Sequence, residues 1–278
     1  MRLDTLNRTV QPQLMKKHAH IKNPFKHFTK FELALWIGSV FVVTLSFIIS
    51  SAVFSQKPDY LTLTASLIGV TSLIFIAKGM VIGPVLCVVF SVFYGIVSYF
   101  EKYYGEMITY LAMTTPICIL SIISWLKHPN KKTASVEIGK LTKKAVALMI
   151  VTTAAVTVAF YFILRALGNA NLIISTISVT TSFAASYLGL FRSAWCTVGY
   201  AANDIVLVVL WSVSTSQNLS CLPMVICFAV FLINDLYGFI NWQKMKKLQV
   251  YDVAKNDSDL TCGSDDENKP TDRENSNE

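Results

Sequence analysis

Long apolar runs alternate with short polar connections along most of the chain. Eight of these runs are close to the roughly 20 residues that an α-helix needs to cross the hydrocarbon layer of a bilayer. They lie at residues 31–54, 59–77, 80–100, 105–125, 145–164, 170–191, 194–213 and 221–242. Strands of a membrane β-barrel show roughly ten residues of alternating polar and apolar character. The sequence lacks this alternation. The pattern therefore predicts an all-α protein with eight transmembrane helices in the lipid bilayer.

The composition agrees with this interpretation. Of 278 residues, 53% are hydrophobic and only 15% are charged, and the mean hydropathy is +0.51. So few charges cannot cover the surface of a soluble globule of this length. The net charge of +7 would suit a nucleic-acid partner, but the positions of Lys and Arg indicate a different role.

Lys and Arg are concentrated before the first span and in the connections that follow the second, fourth, sixth and eighth spans. The other connections contain only Lys57, Lys102 and Arg165. Basic residues favour the cytoplasmic side of a membrane. We therefore predict a multi-pass protein of the cell membrane with both termini in the cytoplasm, and no nucleic-acid partner.

The first thirty residues are polar and basic and lack the short apolar stretch and small-residue cleavage site of a signal peptide. The first span is therefore expected to remain as an anchor. The six cysteines show neither CxxC nor Cys/His ligand spacing. Neither a disulfide framework nor a metal or other cofactor is expected.

Two pairs of segments indicate an internal repeat. "SLIGVTSL" at 66–73 aligns with "TISVTTSF" at 176–183, and "ISWLK" at 123–127 resembles "INWQK" at 240–244. We predict two parallel three-helix repeats, related by an axis along the membrane normal. The predicted segments are a basic cytoplasmic N-terminus (1–30), an extra transmembrane helix (31–54), the first repeat (59–125), a cytoplasmic loop (126–144), a linker transmembrane helix (145–164), the second repeat (170–242) and a disordered cytoplasmic tail (243–278) that is rich in acidic residues, Asn and Ser.

Two acidic residues are predicted to lie deep within spans. These are Asp204 in "GYAANDIVLVVLW" and Asp235 in "FLINDLYGFINW", and each follows an Asn. A charged residue at mid-bilayer costs at least ~2.5 kcal/mol, so such residues face the interior of the bundle and usually mark a pathway or a site. The middle of every predicted span lacks Lys and Arg, so neither aspartate has an obvious cationic partner.

Helical spacing places other polar and aromatic residues beside these aspartates. One face of the seventh span carries Thr197, Tyr200, Asp204 and Trp211, and a stripe of the eighth carries Asn234, Tyr237 and Asn241. Further polar faces consist of Ser175, Ser178, Ser182 and Ser186 and of Tyr110, Thr114, Ser121 and Trp125. Such faces suit a small, flat ligand with hydroxyl groups. By contrast, Trp125 and Trp242 at the ends of spans are expected to be interfacial anchors.

Five blocks of the chain carry a family resemblance: "YYGEMITYLAMTTP", "ISWLKHP", "STISVTTSFAASYLGLFRSAW", "GYAANDIVLVVLW" and "CFAVFLINDLYGFINWQKMK". They resemble the PnuC family of nicotinamide riboside (nicotinamide mononucleotide) transporters. The resemblance covers about 59–247 and implies a 3+1+3 core similar to that of SWEET sugar transporters. It also implies facilitated diffusion without ATP, followed by trapping of the substrate through intracellular phosphorylation. The helix at 31–54 is an addition to that core.

The chain departs from the family pattern at one position. Many members carry a Trp-x-x-Trp pair beside the vitamin, whereas here Trp195 is followed three residues later by Val198. The substrate therefore stays open between nicotinamide riboside and a deoxynucleoside, thiamine or riboflavin. Asn203 and Asn234 are site residues that the family pattern implies. The predicted substrate-binding residues are Asn203, Asp204, Asn234, Asp235, Tyr200, Trp211, Tyr237, Asn241, Trp195 and Thr181.

Other classes of protein fit the sequence less well. An intramembrane aspartyl protease would use Asp204 and Asp235 as a pair that shares a proton. Such enzymes have their aspartates in Tyr-Asp and Gly-x-Gly-Asp motifs, whereas here both aspartates follow Asn, and Gly238 comes after Asp235. Gly139-Lys140 lacks the first glycine of a phosphate-binding loop. A receptor without transport is the third alternative. We therefore expect a transporter and not an enzyme, with a small molecule as its partner, and leave open a homo-oligomer.

Overall fold

The computed structural model describes residue 25 and residues 28–54, 59–130, 133–169 and 171–265, and the regular elements within these ranges are helices. In chain order they are α1 (Lys30–Phe54), α2 (Tyr60–Ala77), α3 (Ile82–Phe100), α4 (Tyr104–Ile108), a π-helix (Thr109–Thr114), α5 (Thr115–Lys127), α6 (Lys143–Ala166), α7 (Leu172–Leu190), α8 (Cys196–Gln217), a short 3-10 helix (Leu219–Cys221) and α9 (Leu222–Asp265).

Eight helical segments of the described chain are long and apolar enough to cross a membrane. One of them, Tyr104–Lys127, is formed by α4, the π-helix and α5 in continuous succession. This confirms the prediction of an all-α protein with eight spans. We call the end of the bundle that carries Asp59 and Glu101 the outer end, and the end that carries Lys78 and Arg192 the inner end, after the predicted orientation.

The last helix is longer than the sequence led us to expect. The disordered tail was predicted to begin at residue 243, but α9 continues without a break to Asp265. Gly and Pro are the residues that disfavour a helix most strongly, and neither occurs between Gly238 and Gly263. The rest of the predicted tail, and most of the predicted basic N-terminus, lie outside the described residues.

The turns that follow α2 and α7 have the same backbone geometry. Gly79 and Arg192 both have a positive φ, 65° and 54° respectively. In each turn the next residue donates its N–H to a carbonyl five residues earlier, at 3.0 and 2.9 Å, which is the hydrogen bond of a Schellman helix end. The same bond ends α3 and α6, from Tyr103 N to Ser98 O at 2.8 Å and from Asn169 N to Leu164 O at 3.1 Å. This turn is therefore not specific to the first helix of each repeat, and the repeat stays a prediction.

Two spans lie at the periphery of the bundle. The linker helix α6 packs mainly on α7 and buries only Leu164 among its residues. The extra helix α1 packs on α9 and α2, and its Trp36 donates a hydrogen bond to Thr71 of α2 at 3.2 Å. The interior of the protein is therefore built mainly from the six helical segments of the two predicted repeats, to which α1 adds the fully buried Val43.

Candidate functional site

A small polar chamber lies in the interior between the two predicted repeats. Its volume is about 40 Å³, and its walls come from α2, α3, the π-helix, α7, α8 and α9. The polar residues that line it are Ser72, Cys87, Tyr110, Thr114, Ser182, Ser186, Tyr200, Asn203, Asp204 and Asp235. Pockets for drug-sized ligands are typically 300–1,000 Å³, so the chamber is nearly closed as it stands.

Asp204 of α8 and Asp235 of α9 face each other across this chamber. Their exposed fractions are 5% and 1%, and the two carboxyl groups lie within hydrogen-bonding reach of each other. One oxygen of each, Oδ2, has no hydrogen-bond partner. The described residues that line the chamber include no Lys or Arg. Two buried carboxylates that approach so closely cannot both stay charged unless a cation lies between them; otherwise they share a proton.

Asn203 is the centre of a hydrogen-bond network behind the chamber wall. Its Oδ1 accepts from Thr181 Oγ1 at 2.9 Å, from Ser182 Oγ at 2.9 Å and from Ser178 Oγ at 3.4 Å. These three donors, all on α7, fix which way the amide points. The amide nitrogen therefore points toward Tyr110 and lies within reach of its hydroxyl group. The network therefore joins α7 and α8 at the chamber, and Tyr110 of the π-helix lies next to it.

The π-helix, Thr109–Thr114, directs two of its side chains into the chamber. Tyr110 and Thr114 are four residues apart and both line the cavity. The wider turn occurs just before Pro116, which has no N–H to donate to the helix, and the Oγ1 of Thr115 donates to the carbonyl of Tyr110 at 2.8 Å. Short π-helical stretches in α-helices are frequent at functional sites, and this one lies at the wall of the candidate site.

A layer of aromatic rings separates the chamber from the outer end. Tyr94 packs against Tyr110 with ring centroids 4.5 Å apart, and Phe90 packs against Phe231 at 5.6 Å. Trp211 closes the layer by donating from Nε1 to Tyr94 Oη at 2.9 Å. Beyond the layer is an outer vestibule of about 200 Å³ with two carboxylates in its wall, those of Asp59 and Glu101.

Two tryptophans close the inner end in a reciprocal arrangement. Trp125 and Trp242 have ring centroids 5.7 Å apart. Trp125 Nε1 donates to Gly189 O at 3.0 Å, and Trp242 Nε1 donates to Ile76 O at 2.8 Å. Each tryptophan thus bonds the first helix of the other predicted repeat. The expectation that these two residues are interfacial anchors was wrong, because they are only 2% and 0% exposed.

The loop between α5 and α6 crosses beneath this tryptophan pair, and we call residues 135–139 the strap. Val136 N donates to Gly79 O at 2.8 Å, and Gly139 N donates to Arg192 O at 3.1 Å, so the strap bonds the equivalent turns of both predicted repeats. A Cβ at Gly139 would lie 2.3 Å from the Phe191 carbonyl oxygen. This close approach explains why the residue before Lys140 is a glycine.

The structure brings four of the predicted site residues to the chamber and places two others close to it. Asp204, Asp235, Asn203 and Tyr200 line the cavity. Thr181 touches it indirectly, through its bond to Asn203. Trp211 belongs to the aromatic layer and lines the outer vestibule.

The other four predicted residues point away from the chamber. Asn234 donates to Ser39 Oγ of α1 at 3.0 Å, and Tyr237 donates to a carboxyl oxygen of α1 at 2.7 Å. Asn241 donates to the carbonyl at the end of α2 at 2.8 Å. Trp195 is 51% exposed and packs on Phe239. In this conformation the three α9 side chains fix the helix instead of facing a ligand.

Two buried carboxylates were missed at the sequence level. Glu106 is fully buried beside Ser178, and neither of its oxygens meets hydrogen-bond geometry with a described residue. Glu32 is 2% exposed at the start of α1. Both lie at the first residues of predicted spans, where an acid is expected to reach the membrane surface. For Glu32 the spacing Thr29-x-x-Glu32 was a usable signal, because it forms a capping box.

Comparison with known proteins connects this geometry to a family. The model of a family described as nicotinamide mononucleotide transporter matches residues 59–244. A nicotinamide riboside transporter PnuC of Neisseria mucosa is 28% identical over 232 residues, which are 80% of this chain and 84% of that protein. A protein of the same name from Haemophilus influenzae is 24% identical over 211 residues, 74% of this chain and 90% of the relative.

A solved structure agrees with these sequence matches. The crystal structure of the vitamin B3 transporter PnuC superposes with a TM-score of 0.70 at 25% identity, and the match covers 84% of this chain and 97% of that chain. The family match extends over more than half of the chain and includes every helix that lines the chamber. This chain therefore belongs to the nicotinamide mononucleotide transporter family.

Proposed function

We propose that this transporter carries nicotinamide riboside across the cell membrane through the chamber between Asp204 and Asp235. The observation that carries the proposal is the pair of buried carboxylates that line the cavity with one unpartnered oxygen each. Family membership and the relatives, which are all transporters, confirm the prediction that the chain is not an enzyme. The carboxylate pair therefore has a role in binding and not in proteolysis.

The charge of the chamber favours a cationic substrate. Burying a carboxylate without a partner is costly, and a cation beside it offsets that cost. Nicotinamide riboside carries a pyridinium cation and ribose hydroxyl groups, and the carboxylates can accept hydrogen bonds from those hydroxyls. Riboflavin and deoxynucleosides are neutral and gain less. Thiamine is also a cation, so charge alone does not separate it from nicotinamide riboside.

The charge of the chamber also disfavours the phosphorylated form of the substrate. Phosphate groups in proteins are bound by Arg, Lys or clusters of N–H donors. The described residues that line the chamber include no Arg or Lys, and two of them are acidic. We therefore propose the riboside and not the mononucleotide as the substrate, in agreement with the names of the two curated relatives.

Passage requires both ends of the chamber to open in turn. We propose that the aromatic layer around Tyr94 and Trp211 is the outer gate, and that the Trp125–Trp242 pair with the strap is the inner gate. A cavity of about 40 Å³ holds about one water molecule, so the described conformation is closed to substrate. Separation of the two tryptophans breaks two hydrogen bonds at once and opens the inner gate. Phosphorylation inside the cell then traps the substrate and makes uptake by facilitated diffusion directional.

The protein is a multi-pass membrane protein, and its finer placement belongs to this proposal. The distribution of basic residues supports cytoplasmic termini and hence an inner end that faces the cytoplasm. The linker helix α6 exposes much of its apolar surface, including Leu148, Val151 and Phe162. Lipid covers that surface in our proposal, and a homo-oligomer stays a prediction.

A binding panel on the purified protein tests the substrate. Titration calorimetry with nicotinamide riboside, nicotinamide mononucleotide, thiamine, riboflavin and a deoxynucleoside compares charge and shape directly. We expect nicotinamide riboside to bind most tightly and its mononucleotide at least about tenfold more weakly, since a phosphate lacks a cationic partner here. Tighter binding of a neutral nucleoside or of the mononucleotide would refute the proposal.

A further inference from the structure

One carboxylate of α1 joins three separate elements at the inner end. Glu32 accepts from Lys78 Nζ, which is 2.8 Å from both of its oxygens, and from Tyr237 Oη at 2.7 Å. The backbone N–H of Thr29 donates to the same carboxylate at 2.6 Å. Lys78 follows α2 and Tyr237 lies on α9, so this side chain holds α1, α2 and α9 together.

The helix α1 holds α9 at a second point. Seven residues after Glu32, Ser39 accepts a hydrogen bond from Asn234 Nδ2 at 3.0 Å. A spacing of seven residues returns to the same helix face, so one face of α1 contacts both Asn234 and Tyr237. The contacts are buried, since Glu32, Ser39 and Asn234 are 2%, 6% and 1% exposed.

These two contacts set the rotation of α9 about its own axis. With 3.6 residues per turn, successive side chains are about 100° apart. Asn234 and Tyr237 point at α1, and Asp235 therefore points away from it, to the side where the chamber lies. A rotation of α9 that loosened the α1 contacts would also turn Asp235 away from Asp204.

We propose that Glu32 is a positioning residue for transport, which acts through Tyr237 and Lys78 to hold Asp235 in the wall of the chamber. The family match begins at residue 59, so this residue belongs to a helix outside the matched region. The inference rests on the proposed function, because it assigns to α1 a part in the recognition of a cationic substrate. The extra helix is then a component of the site and not only a membrane anchor.

The test compares a charged and a neutral form of the same ligand. Reduced nicotinamide riboside has nearly the shape of nicotinamide riboside but lacks the pyridinium charge. Binding of both forms is measured by calorimetry for the wild type, Glu32→Ala, Asp235→Asn and the double variant. Tyr237→Phe removes only the hydrogen bond from α9, and it is the second variant if Glu32→Ala does not fold.

We expect Glu32→Ala and Tyr237→Phe to weaken binding of the cationic form by about fivefold or more while binding of the neutral form changes by about twofold or less, as residues coupled through one network behave. In the Asp235→Asn background, Glu32→Ala should change neither ligand by more than about twofold. The matched control is Trp36→Phe, which removes a bond from α1 to α2 and keeps the two hydrogen bonds between α1 and α9. It should leave the preference for the cation unchanged.

The possible results separate this inference from the proposed function. Equal weakening for both ligands, or a full effect of Glu32→Ala in the Asp235→Asn background, would show that Glu32 only stabilises the fold and would overturn the inference. Loss of the preference for the cation in Asp235→Asn, with the preference kept in Glu32→Ala and Tyr237→Phe, would overturn the inference alone. An unchanged preference in Asp235→Asn would refute the proposed function and the inference together.

Discussion

Replacement of Asp235 by Asn changes the charge of the chamber while it keeps the shape of the side chain. Asp235 is 1% exposed, faces Asp204 and has one oxygen without a partner. Asn retains one acceptor oxygen, so a hydrogen bond from a ribose hydroxyl survives, but the attraction to a pyridinium is lost. At an effective dielectric of about 20, a unit charge about 5.5–11 Å from the pyridinium contributes about 1.5–3 kcal/mol. We therefore expect affinity for nicotinamide riboside to fall by about ten- to 150-fold.

The assay is titration calorimetry on purified protein with nicotinamide riboside and its neutral reduced form. The neutral form should lose much less affinity, because it gains no charge interaction with Asp235 in the wild type. Asp204→Asn should behave in the same way. Asp59→Asn is the matched control, since it removes an exposed carboxylate from the outer vestibule and keeps an acceptor for the helix cap at Thr62.

One outcome would refute the reasoning. If both substitutions in the chamber leave the affinity for both ligands unchanged and only lower the temperature of unfolding, the two aspartates are hydrogen-bond partners within the fold. The chamber would then owe none of its selectivity to their charge.

The remaining predictions concern the inner end and the tail. The double variant Trp125→Phe/Trp242→Phe removes two buried hydrogen bonds and should lower the free energy of unfolding by about 1–3 kcal/mol. The control Trp195→Phe, at an exposed position, should change it little. Equal losses of stability in thermal unfolding would argue against the tryptophan gate. Gly139→Ala forces a methyl group against a backbone carbonyl and should lower the free energy of unfolding by about 1–3 kcal/mol, again measured by thermal unfolding. An unchanged stability would show that the strap is loosely held. Deletion of 266–278 should leave uptake nearly intact, because these residues lie outside the two predicted repeats; abolished uptake by an inserted, folded variant would contradict this. Tags at both termini should be accessible only from the cytoplasm of intact cells, and labelling of either tag from outside would overturn the orientation.

The spans and the carboxylate pair were predictable because their physical causes are local. A run of about 20 apolar residues is enough to predict a span. An acid in the middle of such a run has to face the protein interior, and this reasoning placed Asp204 and Asp235 correctly in the interior. Neither argument requires knowledge of which helices are neighbours.

The direction of individual side chains on α9 could not be predicted in this way. The last helix has partners on several sides, and the sequence alone does not say which face meets which partner. Asn234 and Tyr237 were therefore assigned to a ligand, although they bond α1. The sequence alone did not connect the extra helix with the core. Its residues Glu32 and Ser39 lie far along the chain from Tyr237 and Asn234, the residues that they contact.

The two inner tryptophans show a related limit. A Trp near the end of a span is typical of the membrane interface, and we preferred that interpretation to a ligand-facing position for Trp125. Their burial follows from the reciprocal contact of Trp125 and Trp242, which depends on how the two predicted repeats face each other. The matching segments "ISWLK" and "INWQK" carried this information, but only as a similarity between helices and not as a contact.

The measurement that tests the central claim most directly is protection of a thiol in the chamber by the substrate. Cys87 lines the chamber and Cys221 lines the outer vestibule. Two single-cysteine variants, each retaining one of these residues, are treated with a small thiosulfonate reagent with and without nicotinamide riboside. We predict that the riboside slows modification of Cys87 and gives half of the full protection at a concentration equal to its Kd. Modification of Cys221 should be largely unaffected. Equal rates at Cys87 with and without bound riboside would contradict it.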